Sequence, residues 1–217
     1  MIPVVLVASE RQRGAVERLV NYAKELDGTS IEVIEFGPET SDRYTGQHLA
    51  IRKACTAFKG KSFFWIEPDA IPRKAGWLET ICKQRQDRSK PFLLPSLIGR
   101  PSVDAASAIG IYPHNAIDII PEKKPQYPLL AWDHWLYAKK PEMIALTPLI
   151  QHSYGIYSKG GLLERRHSFP LDKPILRSYS VIFHSDPGQT LMQFGLPNQK
   201  PTTAPLSAHP SVVLPYQ

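Results

Sequence analysis

The sequence predicts an α/β protein with a mostly parallel central sheet and helices on both faces, in a Rossmann-like arrangement. Short β-branched and aromatic runs alternate along the chain with segments of helical periodicity. Several of these runs are apolar throughout and are bounded by turn residues. Strands that are apolar on both faces are typical of parallel sheets covered by helices on both sides, so four or five such strands favour this fold class.

The elements follow one another from the first residues. The run from Ile2 to Ala8 is a first strand, and Ser9 with Gln12 has the pattern of a capping box, which predicts a helix to about Leu26. The second strand is IEVIEFG, and a helix is expected from His48 to about Phe58. The later elements are a strand in KSFFWI, a helix in GWLETICKQRQ, and strands in PFLLPSLIG and AIGIYP.

Composition limits the class of protein. A chain of 217 residues with 42% hydrophobic content suits one domain, which we expect over residues 1–196, followed by a Pro-rich tail over 197–217. Cys55 and Cys82 lie in helical patterns and are expected to be small core residues. No apolar run approaches the ~20 residues of a membrane span and no basic leader begins the chain, so a cytoplasmic protein is expected.

Charge and missing motifs narrow the choice of ligand. The formal net charge of +6 favours anionic partners without choosing among them. The segment ASERQRG follows the first strand, where a dinucleotide-binding protein has its glycine fingerprint, and the chain has no phosphate-loop lysine motif. Hydride transfer and ATP hydrolysis of the usual kinds are therefore not expected.

Two acids follow the third strand directly. In KSFFWIEPDAIPRKAGWL, Glu67 and Asp69 are separated only by Pro68, and they come where the carboxyl ends of parallel strands form a ligand-binding edge. A hard divalent cation held by carboxylates neutralises a diphosphate, which is one reason to place two acids here. The alternative is that both acids merely cap the loop before Pro72.

The segment FFWIEPDAIPRKAGWLETI resembles the acid-x-acid motif of glycosyltransferases with the A-type (GT-A) fold. In that family an aspartate pair ends a hydrophobic strand, and a Trp-Leu pair begins the next helix. This chain has Glu-Pro-Asp where the family has Asp-x-Asp, so the resemblance implies that Asp69 is the firmer metal ligand and Glu67 the weaker one. It extends from about Ile2 to His152 and implies a nucleotide-sugar donor, most simply UDP-linked, and a Mn²⁺ or Mg²⁺ ion.

The resemblance also implies a catalytic base. In YPLLAWDHWLYAKK, Asp133 stands between Trp132 and Trp135, in the order in which inverting members of the family carry an acid that deprotonates the acceptor. Aromatic walls hold a sugar or base ring and raise the basicity of a carboxylate by desolvation, so Trp132 is a candidate acceptor contact. The alternative is that Asp133 is an ordinary helix N-cap.

Two histidines compete for the metal. His152 ends the apolar stretch MIALTPLIQH, and by its order in the chain it resembles the histidine that some metal-dependent members supply to the cation. His184 ends the strand in SVIFHSDPG and is the second candidate. An imidazole ligand suits manganese better than magnesium. The alternative for either residue is a purely structural role.

Further site residues are expected from their place in the fold. Ser9, Glu10 and Glu35 lie near the ends of the first two strands, where the family meets the nucleotide. Arg52 is expected to face the diphosphate, although a solvated helix face explains it equally well. In AIGIYPHNAIDII, Tyr112, His114 and Asn115 resemble residues that line the acceptor side, the alternative being a buried edge strand with a turn.

The resemblance implies transfer of a sugar to an acceptor hydroxyl, with inversion. One acceptor hypothesis is a hydroxymethylated pyrimidine in DNA, as in small virus-encoded members, which would place the protein in the host cytoplasm. Lys159, Arg165, Arg166 and Lys173 would then contact backbone phosphates. The alternatives are a glycan or protein acceptor, a nucleotidyltransferase, and a binding module without catalysis.

Overall fold

The computed structural model describes residues 2–37, 43–95, 108–126, 131–152 and 180–184, with only the backbone described for Glu35, Phe36, Arg43 and His152. The predicted tail over 197–217 and the cations expected to contact DNA (Lys159, Arg165, Arg166 and Lys173) lie outside the described residues.

Nine strands and five helices lie in the described ranges. The strands are β1 (Val4–Ser9), β2 (Ile31–Gly37), β3 (Phe63–Trp65), β4 (Ala70–Pro72), β5 (Phe92–Pro95), β6 (Gly110–Tyr112), β7 (Ile144–Thr147), β8 (Ile150–His152) and β9 (Ile182–His184). The helices are α1 (Arg13–Asp27), α2 (Arg43–Ala57), α3 (Trp77–Gln86), α4 (Ala116–Ile119) and α5 (Trp132–Lys139). Short 3-10 turns precede α1 and β7, over Glu10–Gln12 and Pro141–Met143.

The main sheet has six strands in the order β2-β1-β3-β6-β5-β7. The pairs β1–β2, β1–β3 and β5–β7 are parallel, whereas β6 is antiparallel to both β3 and β5. The prediction of a mostly parallel sheet is confirmed. The carboxyl ends of the parallel strands share one edge, called the carboxyl edge below, and β6 ends at the opposite edge.

Helices cover both faces of this sheet, because the side chains of its strands are apolar on both sides. One face packs against Val16 and Leu19 of α1 and Trp77 and Ile81 of α3. The other face packs against residues of α2, α4 and α5, namely Ile51, Ala54, Cys55, Ala116, Ile119, Trp132 and Leu136. Alternate residues of β3 divide between the two cores, so Phe64 lies in the first core and Phe63 and Trp65 lie in the second.

A second sheet of three strands, in the order β4-β9-β8, stands beside the carboxyl edge of the main sheet. Strand β4 pairs antiparallel with β9, with Ala70 opposite His184, and β9 pairs parallel with β8, with His184 opposite His152. Arg73 ties this sheet together, since its guanidinium donates hydrogen bonds to the carbonyl and hydroxyl oxygens of Ser180. The small sheet therefore brings the strand that follows the acid pair next to the two strands that end in histidine.

Three details differ from the prediction. Helix α2 begins five residues earlier than expected, at Arg43 instead of His48. The stretch MIALTPLIQH forms two strands, because β7 ends at Thr147 and β8 joins the other sheet. Strand β6 runs against its neighbours and contains Gly110 at φ +152°, where an added Cβ would lie 2.1 Å from the carbonyl oxygen of Leu93.

Candidate metal centre and active site

The acid pair lies on a tight turn between the two sheets. The chain leaves β3 after Trp65, and the backbone N–H of Ala70 donates to the carbonyl of Glu67 at 3.0 Å, which closes the turn over Pro68 and Asp69. The chain then enters β4, which pairs with β9 so that Ala70 lies opposite His184. This pairing brings a histidine from the far end of the described chain beside the two acids.

The three side chains meet at one nitrogen atom. Nε2 of His184 lies 2.8 Å from Oε2 of Glu67 and 3.2 Å from Oδ1 of Asp69. The imidazole is 5% exposed, Glu67 16% and Asp69 34%, so the cluster opens to solvent on the Asp69 side. Burial lowers the pKa of His184, but charge and hydrogen bonding from Asp69 and Glu67 outweigh it and raise that pKa to about 10. The site therefore favours a positive charge between the carboxylates.

The donor set fits a divalent cation. One ligand atom from each of Glu67, Asp69 and His184 can be chosen so that all three atoms lie within 4.8 Å of one another. In octahedral coordination at about 2.0–2.1 Å, adjacent ligand atoms are about 2.9 Å apart, close to the two distances measured from Nε2. Two carboxylates with one imidazole suit manganese well, and three protein ligands leave positions for phosphate oxygens and water.

The histidine that joins the acids is His184, whereas the order of motifs in the sequence favours His152. The backbone of His152 occupies the neighbouring position across the β8–β9 pair, and its side chain is not among those described. The sequence holds no local signal for this choice, because the triplet AIP after the acid pair is too short to show that it pairs with the strand in VIFH.

Asp133 lies in the first turn of α5 and is partly buried. The N-cap of α5 is Ala131, so the alternative that Asp133 is an ordinary N-cap is wrong. Its Oδ1 accepts the backbone N–H of His134 at 2.9 Å. Desolvation raises the pKa of Asp133, the charge and N–H of His134 oppose this, and the nearby charge of Glu67 raises it further. Asp133 is therefore a partly desolvated carboxyl, and it lies close enough to the metal cluster for the charge of Glu67 to raise its pKa.

The aromatic residues expected to contact an acceptor lie in the core. The ring of Tyr112 is 0% exposed and stacks on Phe63 with ring centroids 5.1 Å apart, and its hydroxyl donates to the carbonyl of Ala108. Trp132 is 2% exposed, and its ring centroid lies 5.6 Å from that of Tyr112. The prediction that Tyr112 and Trp132 contact an acceptor is wrong, because β6 and α5 direct both rings into the core. The rings of Tyr112 and Trp132 therefore pack in the core under the first turn of α5.

His114 and Asn115 are exposed, but they lie at the wrong edge of the sheet for the predicted role. Because β6 is antiparallel, Tyr112 pairs with Phe63 at the beginning of β3, and the carbonyl of His114 accepts the backbone N–H of Gly60 at 2.9 Å. Glu67 follows the other end of β3. The prediction that His114 and Asn115 line the acceptor side is therefore wrong. The prediction rested on the resemblance of AIGIYPHNAIDII to a segment that lines the acceptor side, and this local resemblance does not report the direction of β6.

Arg52 has a structural role. Its Nη1 donates to the carbonyls of Ile117 and Ile120, each at 3.0 Å, and so joins α2 to the last carbonyls of α4. The expectation that Arg52 faces a diphosphate is corrected accordingly. His48, one turn earlier on α2, makes a similar contact, since its Nε2 lies 3.3 Å from the carbonyl of Glu122.

The predicted nucleotide contacts lie near the carboxyl edge. Strand β1 ends at Ser9, whose backbone N–H donates to Oε1 of Gln12 at 3.1 Å, the half of a capping box in which the N3 side chain accepts from the N-cap backbone. Glu10 is exposed, and two hydrogen bonds of 2.6 and 2.8 Å pair it with Arg13, which lowers the pKa of Glu10. Glu35 lies in β2, with its backbone opposite Val7 of β1.

Comparison with known proteins identifies the fold. No protein-family model matches the chain, and no curated protein matches it. Among solved structures, a glycosyltransferase involved in glycosylation of the major capsid of PBCV-1 is similar over 70% of this chain and 85% of its own, with a TM-score of 0.50 and 13% identity. A putative glucose-1-phosphate thymidylyltransferase from Bacillus anthracis, solved with a sucrose, aligns over 66% of each chain with a TM-score of 0.41 and 12% identity. The Rossmann-like α/β fold is thus one that a glycosyltransferase uses.

Within the ranges that the structure covers, the helices are all too short or too polar to cross a lipid bilayer.

Proposed function

We propose that this protein is a metal-dependent glycosyltransferase that moves a sugar from a nucleoside-diphosphate sugar, most simply UDP-linked, to an acceptor hydroxyl. The observation that carries the proposal is the meeting of Glu67, Asp69 and His184 at the carboxyl edge of a Rossmann-like sheet. Ligands of open α/β sheets bind at this edge. The shared fold with a glycosyltransferase supports the same choice.

The three residues would hold a manganese or magnesium ion against the diphosphate of the donor. When bound, such an ion neutralises the charge that develops on the departing nucleoside diphosphate. Ser9 and Glu35 are the proposed nucleotide contacts, a choice supported by the parallel pairing of β1 and β2, whose carboxyl ends reach the same edge. Glu10 is the weaker candidate, since Arg13 already occupies both of its carboxylate oxygens.

Asp133 is the proposed general base. A bond forms between the acceptor oxygen and the anomeric carbon, the bond from that carbon to the diphosphate oxygen breaks, and the proton of the acceptor hydroxyl passes to the Asp133 carboxylate. The nucleoside diphosphate leaves with the bonding electron pair, and direct attack inverts the anomeric centre. Desolvation supports this role, because it raises the pKa of Asp133 and makes the carboxylate a stronger base.

Two kinds of acceptor are proposed as candidates, and one assay can compare them. The structural neighbour acts in the glycosylation of a capsid protein, which makes a glycan or protein acceptor worth testing first. A hydroxymethylated pyrimidine in duplex DNA is the second candidate, motivated by Arg165 and Arg166 in the sequence.

The direct test is a panel of nucleotide-sugars incubated with manganese and scored for released nucleoside diphosphate. One donor is expected to be turned over, with activity abolished by a chelator and by Asp69→Asn. An Asp118→Asn variant is a suitable control, since Asp118 is an exposed acid of α4. Release of pyrophosphate from a nucleoside triphosphate and a sugar phosphate would instead identify a nucleotidyltransferase, and binding without turnover a non-catalytic module.

A further inference from the structure

Charge is distributed unevenly over the described surface. The edge of the main sheet opposite the metal cluster is where β3, β5 and β7 begin and β6 ends. The chain entering these strands carries six lysines and arginines, which we call the basic edge: Lys59, Lys61, Arg88, Lys90, Lys139 and Lys140. Asp87 and Glu142 are the acids in the same segments, so the edge has an excess of four positive charges.

The basic edge is one continuous surface. The strands β3, β6, β5 and β7 are neighbours in that order. The backbone N–H of Gly60 donates to the carbonyl of His114 at 2.9 Å, which joins the segments beside β3 and β6. The Nζ of Lys90 donates to the carbonyl of Pro141 at 3.3 Å, which joins the segments before β5 and β7. The six cations therefore belong to adjacent parts of the surface.

Within the part of the chain that the structure describes, none of these six cations forms an ion pair. By contrast, the segment from Glu10 to Asp27, which contains α1, carries four positive and four negative side chains and includes the Glu10–Arg13 pair. The basic edge therefore differs from an ordinary solvated surface, on which positive and negative side chains are mixed.

The helix termini do not account for this excess. Helices α2 and α5 end shortly before β3 and β7 begin on this side, and each carboxyl terminus carries about half a negative charge, which amounts to about one charge in total. This is well below the excess of four. The basic edge also lacks an apolar anchor of the kind expected at a protein interface or in a membrane-inserting surface, because the exposed large hydrophobic residue in the described ranges is Leu49, on α2.

We propose that the basic edge binds the phosphate backbone of a nucleic acid, at a surface separate from the candidate active site. From β3 to β7 the edge spans three strand spacings of about 4.8 Å, or about 14 Å. Phosphates of one strand of a duplex recur about every 3.4 Å along its axis, so the row of cations faces about four of them. A narrow row of cations complements this linear array of charge, and it gives no sequence preference.

The test is binding of a short unmodified duplex, followed by fluorescence anisotropy between about 50 and 200 mM salt. The double variant Arg88→Gln/Lys139→Gln removes two exposed cations of the basic edge. The matched control Arg11→Gln/Arg18→Gln removes two exposed cations near the start of α1, at the other edge, with the same change in net charge. Nucleotide-sugar turnover of both variants is measured in parallel.

We expect the wild type to bind with a steep salt dependence and the basic-edge variant to bind about tenfold or more weakly, with a salt slope smaller by roughly two. The control variant should bind as the wild type does, and turnover should be unchanged in the basic-edge variant. The proposal is overturned if the wild type does not bind duplex, if both variants weaken binding equally, or if binding ignores salt. It is also overturned if phosphatidylserine vesicles, and not duplex, bind through the basic edge. If the wild type and both variants show no nucleotide-sugar turnover, this result counts against the proposed function and not against binding of nucleic acid by the basic edge.

Discussion

Nε2 of His184 lies 2.8 Å from Oε2 of Glu67, although Glu67 follows β3 of the main sheet and His184 is the last residue of β9 in the small sheet. The contact depends on β4, which turns back from the acid pair and pairs with β9. Because one nitrogen atom also reaches Oδ1 of Asp69, a proton or a metal ion there interacts with both acids at once.

Protonation of His184 is expected to make the stability of the metal-free protein depend on pH. The pKa of His184 is raised to about 10 in the folded protein, against about 6.5 for an unperturbed histidine. Its contribution to the free energy of unfolding is therefore fully present below pH 6.5 and is lost as the pH rises toward 10. Chemical denaturation of chelator-treated protein at several pH values measures this loss, which should be smaller in His184→Gln than in the wild type.

The same proton competes with a metal ion for Nε2, so metal affinity should rise with pH over that range, and binding should release a proton. His114→Gln is the control, because His114 is exposed and lies at the opposite edge of the sheet. Metal affinity that stays constant from pH 6.5 to 10 would contradict the assignment of His184 as a ligand.

Replacement of Asp133 should separate chemistry from donor binding. In Asp133→Asn an oxygen remains that can accept the backbone N–H of His134, so the start of α5 should fold as before. Loss of a general base lowers kcat by about a hundredfold or more, while the dissociation constant of the donor changes little. Steady-state kinetics and nucleotide titration together measure both quantities.

The opposite pattern, in which Asp133→Asn weakens nucleotide binding but leaves kcat near the wild-type value, would show that Asp133 faces the nucleotide. The pH profile adds a second criterion. Because the pKa of Asp133 is raised, the acid limb of the wild-type kcat profile should lie above the range of an ordinary aspartate, and it should disappear in the variant.

The sheet and the acid pair could be predicted from the sequence, but the orientation of β6 could not. The runs IEVIEFG and FFWI are apolar or β-branched and bounded by turns, so their local pattern is enough to identify strands. Strand direction is set by long-range pairing, which period-two patterns do not encode. The resemblance that predicts Tyr112 and His114 on the acceptor side therefore carries no information on the direction of β6, and in the structure Tyr112 is buried and His114 lies at the other edge of the sheet.

Local sequence patterns also cannot decide which of His152 and His184 is the candidate metal ligand. Both histidines end short apolar strands, and they occupy the same register position across the β8–β9 pair. The difference is that β9, and not β8, pairs with β4 next to the acids. A three-residue strand such as β4 carries little signal of its own, so its partner could not be assigned from the sequence.

Gly110 should be intolerant of any side chain. An added Cβ would lie 2.1 Å from the carbonyl oxygen of Leu93, and the residue has φ +152°. Gly110→Ala is expected to lower the free energy of unfolding by about 1–3 kcal/mol, because strand β6 must shift against β5. Urea denaturation measures the change.

Gly14→Ala is the matched control for this substitution. Gly14 lies in α1, where a Cβ would meet only the end of the flexible Arg18 side chain at 3.6 Å. Alanine there should raise the free energy of unfolding by up to about 1 kcal/mol. Equal effects of the two substitutions would contradict the described packing of β6 against β5.

Titration of the chelator-treated protein with manganese alone shows whether Glu67, Asp69 and His184 form a binding site for a divalent cation. Calorimetry on the wild type should give one site per chain. Asp69→Asn and His184→Ala should each weaken binding strongly, whereas Asp118→Asn and His114→Ala should leave it unchanged. A wild type that binds no manganese, or Asp69→Asn and His184→Ala variants that are folded and bind it as tightly as the wild type, would show that these three residues do not form a metal site.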